Sequence, residues 1–207
     1  MNLTDKINEL GISQIYNYVM ETNPSSDLPY HNNFHLDQVC KFALLGADYY
    51  QLSDNDKKLL AISALFHDYN HTGSGKNDDI NIENAINAFI EFNNQDIKKF
   101  KSFLTEDESN KVIDLIKATR YPYMTDPKTL LQQILRDSDF LQGMFCEDYI
   151  NKIVMAIAKE NGIPPKVMLQ NQSGLLNSIK FCTKWANDMH QEGLPTILSK
   201  VESALKS

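Results

Sequence analysis

A chain of 207 residues with 42% hydrophobic and 23% charged residues carries one substantial core, and a single domain over 1–207 is expected. Its formal charge of −7 and its only two arginines, Arg120 and Arg136, argue against a polyanion-binding surface, so no nucleic acid partner is expected. Three scattered cysteines without a CxxC pair, an N-terminus with no basic-then-apolar leader, and a longest apolar run (Leu59 to Phe66) broken by Ser63 lead to the expectation of a cytoplasmic protein with no membrane contact.

Ile7, Leu10, Ile15 and Val19 recur at helical spacing and predict a first helix, with Gly11 as its weak point. A second is expected to start near His35 and carry Val39, Phe42 and Ala43 inward. Ser53 before Asp54, Asn55 and Asp56 reads as an N-cap with an acidic first turn. The helix it opens bears Leu59, Leu60, Ile62, Ala64 and Leu65 and runs directly into His67 and Asp68. The polar stretch from His71 to Asp79 is expected to be non-helical and long enough to rim a site.

Beyond it, Ile82, Ala85, Ile86 and Phe89 predict the inward face of a helix over 81–92. Thr105-Glu106-Asp107-Glu108 reads as a capping sequence for a helix bearing Val112, Ile113, Leu115 and Ile116. Asp126-Pro127 reads as a cap with an N1 proline, opening a helix through Leu130, Leu131, Ile134 and Leu135 toward Asp139. Further helices are expected over 148–161, over 165–189 with a break at Gly174, and from Pro195 to the end. No alternating apolar run is flanked by turn chemistry, so the expected fold class is all-α, a compact single-domain helical bundle.

Four of the five histidines fall in two short segments, Tyr30-His31-Asn32-Asn33-Phe34-His35 and His67-Asp68-Tyr69-Asn70-His71-Thr72-Gly73. Packing alone does not concentrate histidine in this way. An adjacent His-Asp pair offers an imidazole nitrogen and a carboxylate able to bridge two cations, which suits divalent-metal hydrolysis at phosphorus. His35, His67, Asp68 and Asp139 form the expected ligand set, with Asp137 as the competing carboxylate on the last helix. Gly73-Ser74-Gly75-Lys76 fails as a phosphate loop, because Asn70 stands where an earlier glycine is needed and Asn77 where Ser or Thr must follow the lysine.

Tyr30-His31-Asn32 with His35 resembles the YHNxxH of the 3′,5′-cyclic nucleotide phosphodiesterases, and His67-Asp68-x-x-His71-x-Gly73 resembles their HDxxHxG. Ile82-Glu83-Asn84 is similar to their LEN, Val112 to Thr119 to their VIDxxxAT, and Gln172-Ser173-Gly174-Leu175 to their QxGF. On these motifs the chain resembles the HD superfamily of metal-dependent phosphohydrolases, and within it the phosphodiesterase catalytic domain, most strongly over residues 30–185.

The resemblance implies two divalent ions: Zn, Fe or Mn in a tight site held by His35, His67, Asp68 and Asp139, and Mg or Mn in a second, mostly water-coordinated site that Asp68 also reaches. It implies that water activated between them attacks phosphorus while His31 protonates the departing ribose oxygen. His71 and Glu83 would orient that water or the water shell of the second ion. Gln172 would read a base edge, Leu175 would pack on the ring face, and Tyr30, Gln142 and Arg120 would complete the substrate pocket.

Three departures from the pattern stand in that pocket. Arg120 replaces an aspartate, Gln142 an asparagine and Leu175 an aromatic ring, and an arginine there would favour a terminal phosphate. The expected activity is hydrolysis of 3′,5′-cyclic nucleotides to 5′-monophosphates, with a small-molecule nucleotide as partner. An HD-type nucleotidase or phosphomonoesterase is the alternative, and a non-catalytic cyclic nucleotide sensor the alternative of another class.

Overall fold

The computed structural model describes residues 1–74, 76, 78–95, 104–123 and 125–206, and among these it is built of helices without strands. Leu3–Glu9 (α1) and Ser13–Thr22 (α2) are separate helices where the sequence predicted one. Gly11 sits between them at φ +67°, a left-handed conformation that ends α1 and that glycine adopts at little cost. Asn33–Tyr49 (α3) opens with the Asn32 side chain accepting from the backbone N–H groups of Phe34 and His35. Asp54–Phe66 (α4) begins as predicted, with Ser53 capping Asp56.

Asp78–Gln95 (α5) starts earlier than the periodicity indicated, because Asp78 and Asp79 place carboxylates in its first turn, where the helix dipole favours them. The predicted non-helical rim therefore ends before Asp78, and its Gly75 and Asn77 lie outside the described residues. Glu106–Ala118 (α6) has the full capping box, Thr105 with Glu108. Leu130–Met144 (α7) starts at its own capping box, Thr129 with Gln132, and not at Asp126-Pro127. A reciprocal pair of side-chain-to-backbone bonds fixes a helix start better than a lone cap residue.

The segment predicted over 148–161 resolves into a π-helical stretch, Ile150–Met155, continuing as Ala156–Glu160 (α8). Pro165–Ser178 (α9) runs through Gly174, and the break comes at residues 179–183 instead. There the Asp137 carboxylate accepts the backbone N–H groups of Cys182 and Thr183 at 2.8 and 2.7 Å, a tertiary anchor from α7 that no local pattern reveals. Lys184–Lys206 (α10) follows, with Pro195 inside it and not at its start. The proline frees the carbonyl of Gln191, and both residues are exposed. Among the described residues no helix is long and apolar enough to cross a membrane.

Packing follows from α4. Every residue from Leu59 to Phe66 is buried, so this helix has no solvent face and must be wrapped by others. Helices α3, α6 and α7 wrap it, and its far end delivers His67 into the interior. A second cluster of buried residues, around Trp185, Leu141, Val154, Leu176 and Val201, is formed where α10, α9, α7 and the π-helical stretch meet. Gly46 of α3 lets α7 and α10 approach closely, since a Cβ there would sit 2.8 Å from the Trp185 ring and 2.9 Å from Ile134 Cγ2. Overpacking of this kind costs about 1–3 kcal/mol. Gly46→Ala is therefore expected to lower the urea midpoint by a corresponding amount, and an unchanged midpoint would show that the three helices can separate freely.

Candidate metal centre

His35 stands in the first turn of α3, oriented by the Asn32 cap. His67 is the C-cap of α4 with Asp68 directly after it, and Asp139 projects from the middle of α7. His35 Nε2 lies 3.2 Å from His67 Nε2, 3.1 Å from Asp68 Oδ2 and 3.3 Å from Asp139 Oδ1. His67 Nε2 is 3.3 Å from Asp68 Oδ2 and 3.8 Å from Asp139 Oδ1. Four ligand atoms placed tetrahedrally about 2.1 Å from one cation stand about 3.4 Å apart, so these separations fit a single ion.

The tautomer of His67 suits that role. Its Nδ1 lies 2.7 Å from the carbonyl of Ala64, so Nδ1–H donates there and Nε2 turns its lone pair into the cluster. The electrostatics agree. Burial opposes the charged form of His35 and His67, yet Asp139 and Asp68 raise both above the ordinary imidazole range. Burial also opposes ionisation of the two carboxylates, and the facing histidines nonetheless hold both below the usual carboxylate range. Without an ion the two imidazoles are thus held charged against the two ionised carboxylates, and a divalent cation would take the place of the protons on their Nε2 atoms, so that metal binding here releases protons.

A second group adjoins the first: His31, His71 and Glu160 have ligand-capable atoms within 4.8 Å of one another. His31 Nδ1 is tightly hydrogen-bonded to Glu160 Oε1, while Glu160 Oε2 accepts the backbone N–H groups of Tyr30 and His31 at 2.9 and 3.2 Å. The other ring nitrogen, Nε2, lies 3.9 Å from Asp68 Oδ2, so Asp68 faces both groups. The His71 ring stacks on His31 at 3.7 Å and accepts the Gly73 N–H at Nδ1. Burial opposes ionisation of Glu160, but the hydrogen bonds from His31 and the backbone hold its carboxyl below the usual range.

The structure thus brings His31, His35, His67, Asp68, His71 and Asp139 together, with Tyr30 and Gln142 directly behind His35. The Tyr30 ring packs on His31 and His35, and its hydroxyl accepts from Gln142 Nε2 at 3.1 Å. Asp137 is spent on the 182–183 backbone, which leaves Asp139 as the carboxylate from α7. Four other expected residues do not reach the cluster. Glu83 lies on the exposed face of α5, one position round from the inward Ile82, and the buried Asn81 is the α5 side chain that meets His71, at 2.8 Å. Arg120 forms a forked ion pair with Asp79 at the surface.

Gln172 shares the inward face of α9 with Leu169 and Leu176, and its amide is engaged by the Tyr149 hydroxyl at 2.8 Å and the Met168 carbonyl at 3.3 Å. Leu175, one residue past Gly174, points outward into a separate cleft of about 300 Å³ with Tyr121, Tyr123, Arg136 and Phe140. Another cleft, of about 330 Å³, opens beside His35 and is lined by Tyr30, Phe34, Gln142, Asn151, Lys152 and Ile153. Glu160 went unrecognised in the sequence. It lies 129 residues from His31 at the end of a short helix, and no spacing signals the pair.

Burial pushes the His71 imidazole down to about 4. An unfolded histidine titrates near 6.5, so below that pH the unfolded chain gains a proton that the folded protein refuses until about pH 4. Stability of the chelator-treated protein is expected to fall by about 3 kcal/mol over this window on account of His71. His35 and His67 act in the opposite sense, with stability present below pH 6.5 and lost as pH rises through their raised values. Urea midpoints measured from pH 7 to 4.5 should decline less steeply in His71→Gln; an identical slope would mean that His71 is not held neutral.

No family model matches the chain, and no curated protein matches it. Solved structures share its fold, and two of them are informative. One is a predicted HD superfamily hydrolase from an uncultured Thermotogales bacterium, with a TM-score of 0.65 at 20% identity, covering 100% of this chain and 98% of that one. The other is Bacillus subtilis YpgQ in complex with ADP, with a TM-score of 0.61 at 15% identity, covering 93% of this chain and 95% of that one. The chain therefore shares its fold with a predicted HD superfamily hydrolase, and its cluster of His35, His67, Asp68 and Asp139 could hold a metal ion.

Proposed function

We propose that this protein is a divalent-metal-dependent phosphohydrolase that opens 3′,5′-cyclic nucleotides to 5′-monophosphates. The observation that carries the reading is the His31–Glu160 pair set against Asp68 of the His/Asp cluster. A ring whose Nδ1 is fixed by a buried carboxylate presents Nε2 to whatever lies at the cluster, which is the placement a general acid needs. Such an acid matters most when the leaving group is an alkoxide, as in a P–O–C ester.

Divalent ions bound at such a site polarise phosphoryl oxygens and make water nucleophilic near neutral pH. His35, His67, Asp68 and Asp139 would hold the tight ion, Zn, Fe or Mn, and Asp68, facing His31 as well, would reach the second, Mg or Mn. As the water oxygen bonds to phosphorus and gives up its proton to solvent, the P–O3′ bond breaks and its electron pair stays on O3′. His31 Nε2 gives O3′ a proton and is recharged from solvent. Glu160 keeps the ring aimed throughout, and the His71 face stacked on it fixes its plane. In this reading the partner is a small nucleotide and the protein acts in the cytoplasm.

A second reading, hydrolysis of a linear nucleotide, is favoured by the ADP bound to Bacillus subtilis YpgQ on a similar fold.

Purified protein with Mn²⁺ or Mg²⁺ is expected to convert cyclic AMP or cyclic GMP to the 5′-monophosphate. Phosphate release from AMP or ADP without cyclic turnover would move the assignment to the second reading. Tight cyclic nucleotide binding without hydrolysis would indicate a sensor, and no turnover of any nucleotide by metal-loaded protein would end the proposal. Within the enzyme, His31→Ala should lower kcat by about 10²–10⁴-fold with metal content unchanged. Asp68→Asn should lose both metal and activity; equal activity in either variant would remove that residue from the mechanism.

A further inference from the structure

Gln142 matches a pocket position of the resembled family, yet it is only 1% exposed and its carboxamide is aimed at the back of His35. It lies on α7 one turn after Asp139. Its Nε2 is 3.1 Å from His35 Nδ1, 3.1 Å from the Tyr30 hydroxyl and 3.4 Å from the Asp139 carbonyl, whereas Oε1 is buried with no hydrogen-bond partner among the described residues. A buried acceptor left unsatisfied costs about 1–3 kcal/mol.

His35 supplies the missing donor. Its Nε2 converges with His67, Asp68 and Asp139, and a neutral imidazole that ligates an ion through Nε2 carries its one proton on Nδ1. That Nδ1–H needs an acceptor, and the carboxamide of Gln142 is the group in front of it. Rotating the carboxamide by 180° exchanges its two ends: Oε1 accepts Nδ1–H of His35 and the hydroxyl hydrogen of Tyr30, the contact to the Asp139 carbonyl is given up, and Nε2 takes the place that Oε1 held. The other histidine of the cluster already has this arrangement in backbone form, Nδ1–H of His67 to the carbonyl of Ala64.

We propose that Gln142 is a positioning residue of the metal centre, accepting the Nδ1 proton of His35 through Oε1 and thereby fixing the tautomer and ring plane of that ligand. The inference rests on the cluster being a metal site and not on which ester is cleaved. It also takes Gln142 out of base recognition, because a carboxamide on a residue 1% exposed behind His35 does not present an edge to a purine.

The test uses metal ions alone, Mn²⁺ and Zn²⁺, titrated into the full chain against a chromophoric chelator. Gln142→Leu is expected to weaken binding about 10–100-fold, the usual effect of losing a partner of this kind. Gln142→Glu, which offers an acceptor oxygen in either orientation, is expected to bind as tightly as the native protein or more so. In the Zn²⁺-loaded native protein, ¹⁵N NMR should find His35 protonated at Nδ1, with exchange of that proton accelerated in Gln142→Leu. Native affinity in Gln142→Leu, equal weakening in Gln142→Glu, or an Nε2-protonated His35 with Zn²⁺ bound would each overturn the proposal. Should Gln142→Leu fail to fold, Gln142→Glu and the native spectrum still decide. A protein that shows this coupling but hydrolyses no nucleotide would refute the functional reading and leave this one standing.

Discussion

The whole arrangement depends on burying α4 on every side. A helix with no polar face in its last two turns cannot lie at the surface, and two of the helices that cover it, α3 and α7, carry His35 and Asp139. Covering α4 with α3 sets His35 against its end, and covering it with α7 brings Asp139 to the same place. Apolar burial thus does the assembling, and the polar cluster is what the assembled helices enclose at one end. The two carboxylates and two imidazoles there are mutually compensating, which offsets much of the penalty for placing charge inside a protein.

The parts of the fold that could be read in the sequence are those fixed by local chemistry. Ser53 and Thr105 announce helix starts because their side chains bond to backbone only a few residues ahead. The approach of α4 to His67-Asp68 is legible from unbroken apolar content. The start of α7 and the break after Ser178 were misplaced for different reasons. Thr129 outcompetes Asp126-Pro127 through a reciprocal bond with Gln132, and the turn at 182–183 is held by Asp137 from another helix. A tertiary hydrogen bond of that kind leaves no trace in the periodicity of either segment.

The site shows the same division. His35, His67, Asp68 and Asp139 were legible because a metal cluster demands rare residue types in a restricted order. Gln172 and Leu175 were placed by a four-residue motif, which says nothing about the helix face: the first turns into the core and the second into a separate cleft. Glu83 and Asn81 differ by two positions on α5, about 200° around a helix, and the inward one meets His71. Glu160 needed the fold to bring two ends of the chain together.

One oxygen, Oδ2 of Asp68, faces His35, His67 and His31 at 3.1, 3.3 and 3.9 Å. Under the proposed function two tasks, holding a cation and standing before the acid, therefore share a single atom, and neither can be adjusted at that position without altering the other. A substitution at Asp68 disturbs all three contacts at once, while the cleft wall of Phe34, Asn151, Lys152 and Ile153 stands outside them. What the cleft admits is therefore open to change by substitutions that leave the cluster beside it intact.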